Sequence, residues 1–264
     1  MRVRSGLAVA ALLAAGVALT GCDMNVGLSG DSTHSARSFD LTGDALTVVV
    51  DNDVTLVPGR AGTVKVQRWL TGKARDRATW RLHGDELRVT APCVGVTLNC
   101  GANYQVAVPP GVKVSLSTGY GDVIANGLSN DLNVVAAHGD LSLVKLSGQI
   151  RASTDYGNVT ARQLGSDDVL AESDSGDISL DFTGAPERVT ARSSYGNILL
   201  TVPESAYHVT TQTKYGDVNS QLTDTSGAKR TLVAATDNGD VTISTGGSPG
   251  DSSADPAAGD GPGE

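Results

Sequence analysis

Apolar and polar residues alternate in short runs through most of this 264-residue chain, as in Val114-Ser115-Leu116-Ser117 and Leu141-Ser142-Leu143. Alternation with a period of two is the mark of a strand with one face turned inward. The runs come in pairs that flank a glycine, and the pairing recurs seven times: TGYGDVIA, AAHGDLSL, TDYGNVTA, SDSGDISL, SSYGNILL, TKYGDVNS and TDNGDVTI. The shared glycines are Gly121, Gly139, Gly157, Gly176, Gly196, Gly216 and Gly239, spaced by 18, 18, 19, 20, 20 and 23 residues. A near-constant period in this range signals a repeat architecture.

Alignment on the glycine gives clear columns. Two residues after it stand Val123, Leu141, Val159, Ile178, Ile198, Val218 and Val241; four after it stand Ala125, Leu143, Ala161, Leu180, Leu200, Ser220 and Ile243. Seven before it stand Val114, Leu132, Ile150, Val169, Val189, Val209 and Leu232, and five before it Leu116, Val134, Ala152, Ala171, Ala191, Thr211 and Ala234. The inward set therefore changes parity across the glycine. A straight strand would keep its parity, so the chain must bend there, and glycine tolerates backbone angles that other residues resist. The predicted fold is all-β: a parallel β-solenoid of about 18–23 residues per coil, each coil one turn, with like residues stacked at about 4.8 Å. Right-handed coiling is the expected sense, by analogy with crossover connections. Antiparallel hairpins in a sandwich are the competing arrangement, but they would not keep like residues in register at one offset.

The expected solenoid runs over 39–245, with regular coils in 109–245 and degenerate coils plus a cap in 39–108. Asp51-Asn52-Asp53-Val54-Thr55-Leu56 and Gly84-Asp85-Glu86-Leu87-Arg88-Val89 read as partial copies. Terminal repeats are often atypical because they close the stack.

The ends differ in kind. Residues 1–21 combine Arg2 and Arg4 with an apolar run from Leu7 to Leu19, a secretory signal too short for a stable membrane span. Leu19-Thr20-Gly21-Cys22 resembles a bacterial lipobox, which implies cleavage before Cys22 and fatty acylation of its thiol. Two or more acyl chains anchor a protein firmly to a membrane without spanning it. Residues 22–38 are small and polar and are expected to form a lipidated flexible tether; 246–264 are an acidic Gly/Pro/Ser tail, expected to be disordered. Loss of the signal leaves 18 basic against 29 acidic side chains, so the net charge moves from −9 to −11. That argues against nucleic acid and against docking on anionic headgroups by charge. Cys93 and Cys100 are the only other cysteines, and an oxidising compartment predicts a disulfide between them. No histidine lies near enough in sequence to suggest zinc.

The lipobox, the Cys93/Cys100 pair, the following Tyr104-Gln105-Val106-Ala107-Val108-Pro109-Pro110-Gly111-Val112 and the serial G-[DN]-[VIL] coils together resemble a family of bacterial domains of unknown function that carries a provisional adhesin label. The resemblance covers roughly 39–245 and implies a β-solenoid at the cell surface.

Two columns hold the candidate chemistry. Every glycine is followed by Asp or Asn: Asp122, Asp140, Asn158, Asp177, Asn197, Asp217 and Asp240. These side chains are expected to cap local backbone N–H groups at the corner, a role that requires no metal or other cofactor; a calcium ladder is the sharper alternative. The residue before the glycine is Tyr120, His138, Tyr156, Ser175, Tyr195, Tyr215 or Asn238, so four of the six tyrosines share one column. Tyr120, Tyr156, Tyr195 and Tyr215 are the candidate interaction strip, able to stack sugars or anchor a protein. Catalysis has no comparable signal: the histidines are scattered, and Gly246-Gly247-Ser248-Pro249-Gly250 lacks the helix that a nucleophile elbow needs. The expected role is a non-enzymatic lipoprotein, adhesin-like or scaffolding, on the outer leaflet of the bacterial plasma membrane, whose partner is a surface glycan or an envelope protein. An envelope-stress regulator that binds a membrane protein, and a polysaccharide-acting solenoid enzyme, are the alternatives.

Overall fold

A computed structural model describes residues 32–92 and 100–246. Its elements begin with β1 (Ser32–Asp40), β2 (Ala45–Val50), β3 (Asp53–Pro58), β4 (Thr63–Gly72), the single-turn α1 (Ala74–Arg77), β5 (Thr79–His83), β6 (Glu86–Thr90) and β7 (Cys100–Val108). The regular coils follow as strand pairs: β8 (Lys113–Tyr120) with β9 (Val123–Asn126), β10 (Leu132–His138) with β11 (Leu141–Val144), β12 (Ile150–Tyr156) with β13 (Val159–Leu164), and β14 (Asp168–Ser175) with β15 (Ile178–Phe182). The last three pairs are β16 (Arg188–Tyr195) with β17 (Ile198–Val202), β18 (Tyr207–Tyr215) with β19 (Val218–Ser220), and β20 (Arg230–Asn238) with β21 (Val241–Thr245).

Each pair is one coil, and the corner between its strands is the glycine. The strands before the corner form one sheet and those after it form the other. Neighbouring rungs are parallel and in register: Leu132 pairs with Val114 and Ile150, and Leu141 with Val123 and Val159. The two sheets face each other across the aliphatic columns, where Val134, Leu141, Val159, Ala171 and Leu200 are fully buried. Parallel stacking of like residues is the solenoid that the columns predict.

The order of the rungs departs from the order of the chain. The sheets run β16-β20-β18 and β17-β21-β19, so the last coil lies between the two that precede it. At the other end β2 pairs with both β6 and β8, and β3 with both β7 and β9, which places the first coil inside the second. The 23-residue spacing from Gly216 to Gly239 is the detour that brings the chain back by one rung. A polar connection serves it: Thr225 N donates to Tyr207 O at 2.8 Å, and Asp224 Oδ1 accepts from Val209 N at 2.8 Å.

Residues 32–72 correct the expected tether boundary. Residues 32–38 belong to β1, which pairs antiparallel with β4 along its whole length, from Ser32↔Thr71 to Asp40↔Thr63. Mostly exposed on both faces, β1 needs no apolar pattern, because its order comes from backbone pairing. His34 also stacks on Trp69 at 4.9 Å, and Arg68 Nε donates to Ser35 Oγ at 2.9 Å. Gly84, read above as the corner of a partial coil, is the turn of the antiparallel β5–β6 hairpin, with φ of 63°, while Glu86, Leu87 and Arg88 after it do stack in parallel on β2 as a rung. Asp51 to Leu56 does form a true rung. The segments 1–21, 22–31 and 247–264 lie outside the described residues, as does Cys93.

Asn130 pins the connection between the first regular coils. It is buried, and its Nδ2 donates to Pro109 O at 2.9 Å and to Val112 O at 2.8 Å. Asn130→Ala leaves both carbonyls without this donor, and is expected to cost about 2 kcal/mol in urea unfolding.

Candidate functional site

The corner is built from three ladders that run from rung to rung. In the first, the glycine N–H donates to the carbonyl of the residue before the next glycine: Gly139 N to Tyr156 O at 3.0 Å, Gly157 N to Ser175 O at 3.0 Å, and Gly176 N to Tyr195 O at 2.9 Å. In the second, a buried hydroxyl three residues before one glycine donates to the carbonyl of another: Ser173 to Gly157, Ser193 to Gly176 and Thr236 to Gly196, at 2.9, 3.0 and 2.9 Å. The rungs approach so closely that a β-carbon on Gly157 would overlap the carbonyl of Gly139.

The third ladder corrects the local-cap expectation for the Asp/Asn column. These side chains reach across to the neighbouring rung instead of bonding their own corner. Asp140 N donates to Asp122 Oδ1 at 2.9 Å, Asn158 N to Asp140 Oδ1 at 2.7 Å, Asp177 N to Asn158 Oδ1 at 2.8 Å and Asn197 N to Asp177 Oδ1 at 2.7 Å. It starts at Asp53, which accepts from Asp122 N at 3.0 Å, and ends with Asp217 N on Asp240 Oδ1 at 2.9 Å. An acceptor that takes an N–H serves equally as Asp or Asn, which is why both occur. Among the described residues no group of three or more His, Cys, Asp or Glu side chains is placed to hold a metal ion.

The ladders hold the preceding residue at one fixed position on every rung. In stacking order that column reads Tyr120, His138, Tyr156, Ser175, Tyr195, Asn238, Tyr215. Tyr120 and His138 stack with centroids 5.0 Å apart and planes 7° apart, and His138 and Tyr156 do so at 5.0 Å and 9°. The four tyrosines are 67%, 59%, 63% and 73% exposed, in chain order. The other two are interior: burial pushes Tyr104 up to about 12 despite the opposing charge of Arg68, and Tyr207 donates its hydroxyl to Pro203 O at 3.0 Å.

A model of the family described as Toastrack DUF4097 matches residues 110–251, just over half of the chain. The chain belongs to this Toastrack family. The match begins where the regular coils begin; the first rungs and the antiparallel strands that cover them lie before it. Solved structures match the chain at low identity. A candidate adhesin of Bacteroides fragilis is 16% identical, with a TM-score of 0.52 over 83% of this chain and 100% of that one. A candidate cell adhesion protein of Clostridium sporogenes gives 13% and 0.40 over 82% and 100%, and a candidate lipid-binding protein of Parabacteroides distasonis 13% and 0.45 over 82% and 95%. Among curated proteins none matches the chain.

All four predicted strip residues of this Toastrack chain stand on one column, but not evenly. Asn238 separates Tyr195 from Tyr215, which chain order alone would make neighbours. His138 completes a continuous three-ring stack, and its place in the column was already visible in the alignment. Beside the column runs a groove of about 410 Å³ lined by Ser153, Glu172, Asp174, Arg192, Ser194 and Asp237, among others. Sequence reasoning missed this groove, because its walls come from five rungs. Cys100 opens β7 half-buried; Cys22 and Cys93 lie outside the described residues, so the acylation and the Cys93–Cys100 disulfide are carried forward as proposals.

Proposed function

We propose that this Toastrack protein is a non-enzymatic interaction module of the bacterial cell surface, adhesin-like or scaffolding, acylated at Cys22, stapled by Cys93–Cys100, and held on the outer leaflet of the plasma membrane. The observation that carries the reading is the exposed aromatic column on an otherwise filled fold. Among the described residues the two sheets close on aliphatic side chains, whereas the corner ladders hold tyrosines at fixed intervals on the outside. Rigid aromatic side chains give large contact area at low entropic cost, which suits a binding face. The partner is an envelope protein or a surface glycan. The described residues contain no helix long and apolar enough to cross a membrane, and a lipid anchor supplies attachment without one.

The test is crosslinking on intact cells followed by mass spectrometry, comparing the wild type with the triple variant Tyr156→Ala, Tyr195→Ala, Tyr215→Ala. The variant is expected to keep its thermal transition within a few degrees, because these rings are exposed. It is expected to lose at least nine-tenths of its crosslinked partner, as hot-spot aromatics do. Full retention of the partner removes the column from the function.

A further inference from the structure

The aromatic column has two interruptions, and beside one of them the protein places a cation of its own. At the Asn238 rung no ring stands between Tyr195 and Tyr215. Lys214, on β18, bonds Asp237 at 2.9 Å; that bond first, and the nearby Tyr215 and Tyr195 after it, hold the ammonium above its usual range. One interruption thus has a tyrosine on either side of it and an aspartate–lysine pair next to it.

At Ser175 the same parts recur without the cation. Tyr156 and Tyr195 flank it in register. Asp174 stands two residues before its corner glycine, as Asp237 does. Where Lys214 stands beside Asp237, the rungs beside Asp174 offer Asp155 and Ser194. Among the described residues neither Asp155 nor Asp174 has an ion-pair partner, and Arg192, in the same groove, faces Glu172 at 3.7 Å. The geometry suits a positive charge. Tyr156 gives one face to His138 in a near-parallel stack, so its other face looks along the column toward Ser175. A cation at the vacant level lies about 4.8 Å from the ring levels on either side, inside the ~6 Å range of cation–π attraction.

We propose that the Ser175 interruption, with the groove beside it, is a slot for a guanidinium or ammonium side chain of a basic polypeptide partner. This deepens the interaction-module reading and rests on it. The side chain enters between the faces of Tyr156 and Tyr195 against Asp174, and the partner's backbone follows the groove. Charge selects this occupant: the chain is net −9, and Asp155, Asp174 and Asp177 are exposed around the slot. A second copy of the chain would bring those carboxylates against its own.

The probe is hexa-arginine, with hexa-glutamate as control, titrated into the full chain while the tyrosine ring resonances are followed by NMR. Hexa-arginine is expected to shift the signals of Tyr156 and Tyr195, and hexa-glutamate to leave them in place. Ser175→Tyr supplies the ring that other rungs carry at this position, so the fold tolerates it and the slot is filled. It is expected to weaken hexa-arginine at least tenfold, as is Tyr195→Ala. Unchanged or tighter binding by Ser175→Tyr, with loss in Tyr195→Ala, overturns the slot and leaves the aromatic face standing. No response in either variant, or equal binding of the two peptides, overturns the slot as well. Self-association of the wild type that Ser175→Tyr abolishes makes a second copy the occupant, and also overturns it.

Discussion

Gly157→Ala is expected to lower the unfolding free energy by about 3 kcal/mol, read as a shifted urea midpoint. The β-carbon would overlap the carbonyl of Gly139, on backbone that cannot retreat. Gly157 N is bonded to Ser175 O at 3.0 Å, the adjacent Asn158 N to Asp140 Oδ1 at 2.7 Å, and Thr154 Oγ1 to Gly139 O at 3.2 Å. Relief of the overlap means breaking one or two of these bonds, at about 1 kcal/mol each, beyond the ~1–3 kcal/mol of overpacking. The φ of 154° adds strain for any side chain. Gly184→Ala is the control: nothing lies within 4 Å of its would-be β-carbon, and the change is expected to be neutral or stabilising by up to ~1 kcal/mol. Equal effects at the two sites would mean that the rungs are free to part.

Ile243→Ala is expected to cost about 3 kcal/mol, and Val218→Ala no more than about 0.5 kcal/mol, in the same assay. In a stack that followed the chain, Ile243 would lie on the last, least protected rung and Val218 one rung deeper. The structure inverts this: β21 sits between β17 and β19, Ile243 is fully buried, and Val218 is 46% exposed. Comparable costs, or a larger one at Val218, would return the rungs to chain order.

The coils themselves were legible because every rung repeats the same local conflict. Two half-buried strands must meet at a bend, and only glycine lets the neighbouring rung come as close as Gly139 and Gly157 do. The tyrosine strip was legible for a related reason, since a column fixed by the corner has one exposure on every rung. The hairpin turn at Gly84 was not legible, although the strand after it does stack on β2, because Gly-Asp before alternating residues serves a tight turn as well as a solenoid corner; the partner strand, not the dipeptide, decides. The polar segment 32–38 gave no apolar pattern, yet it is strand, because pairing with β4 needs only backbone.

From its sequence alone, the chain sets the coil length, the parity change at each glycine, the Asp/Asn column and the identity of the exposed rings, all of which repeat within about 20 residues and depend on the chemistry of single columns. The tertiary structure decides which rung lies beside which. Near-identical rungs pair almost equally well in any order, so the choice falls to small differences in what points inward. Thr211 and Ser220 are the only polar members of their columns, and they face Ala234 and Ile243 of the neighbouring coil. Sandwiched between two rungs, their hydroxyls would be cut off from water at about 1–3 kcal/mol each; at the end of the stack they stay wet, and the apolar coil of Leu232 and Ile243 takes the inner place. That exchange also parts Tyr195 from Tyr215, and so sets the spacing of the aromatic column.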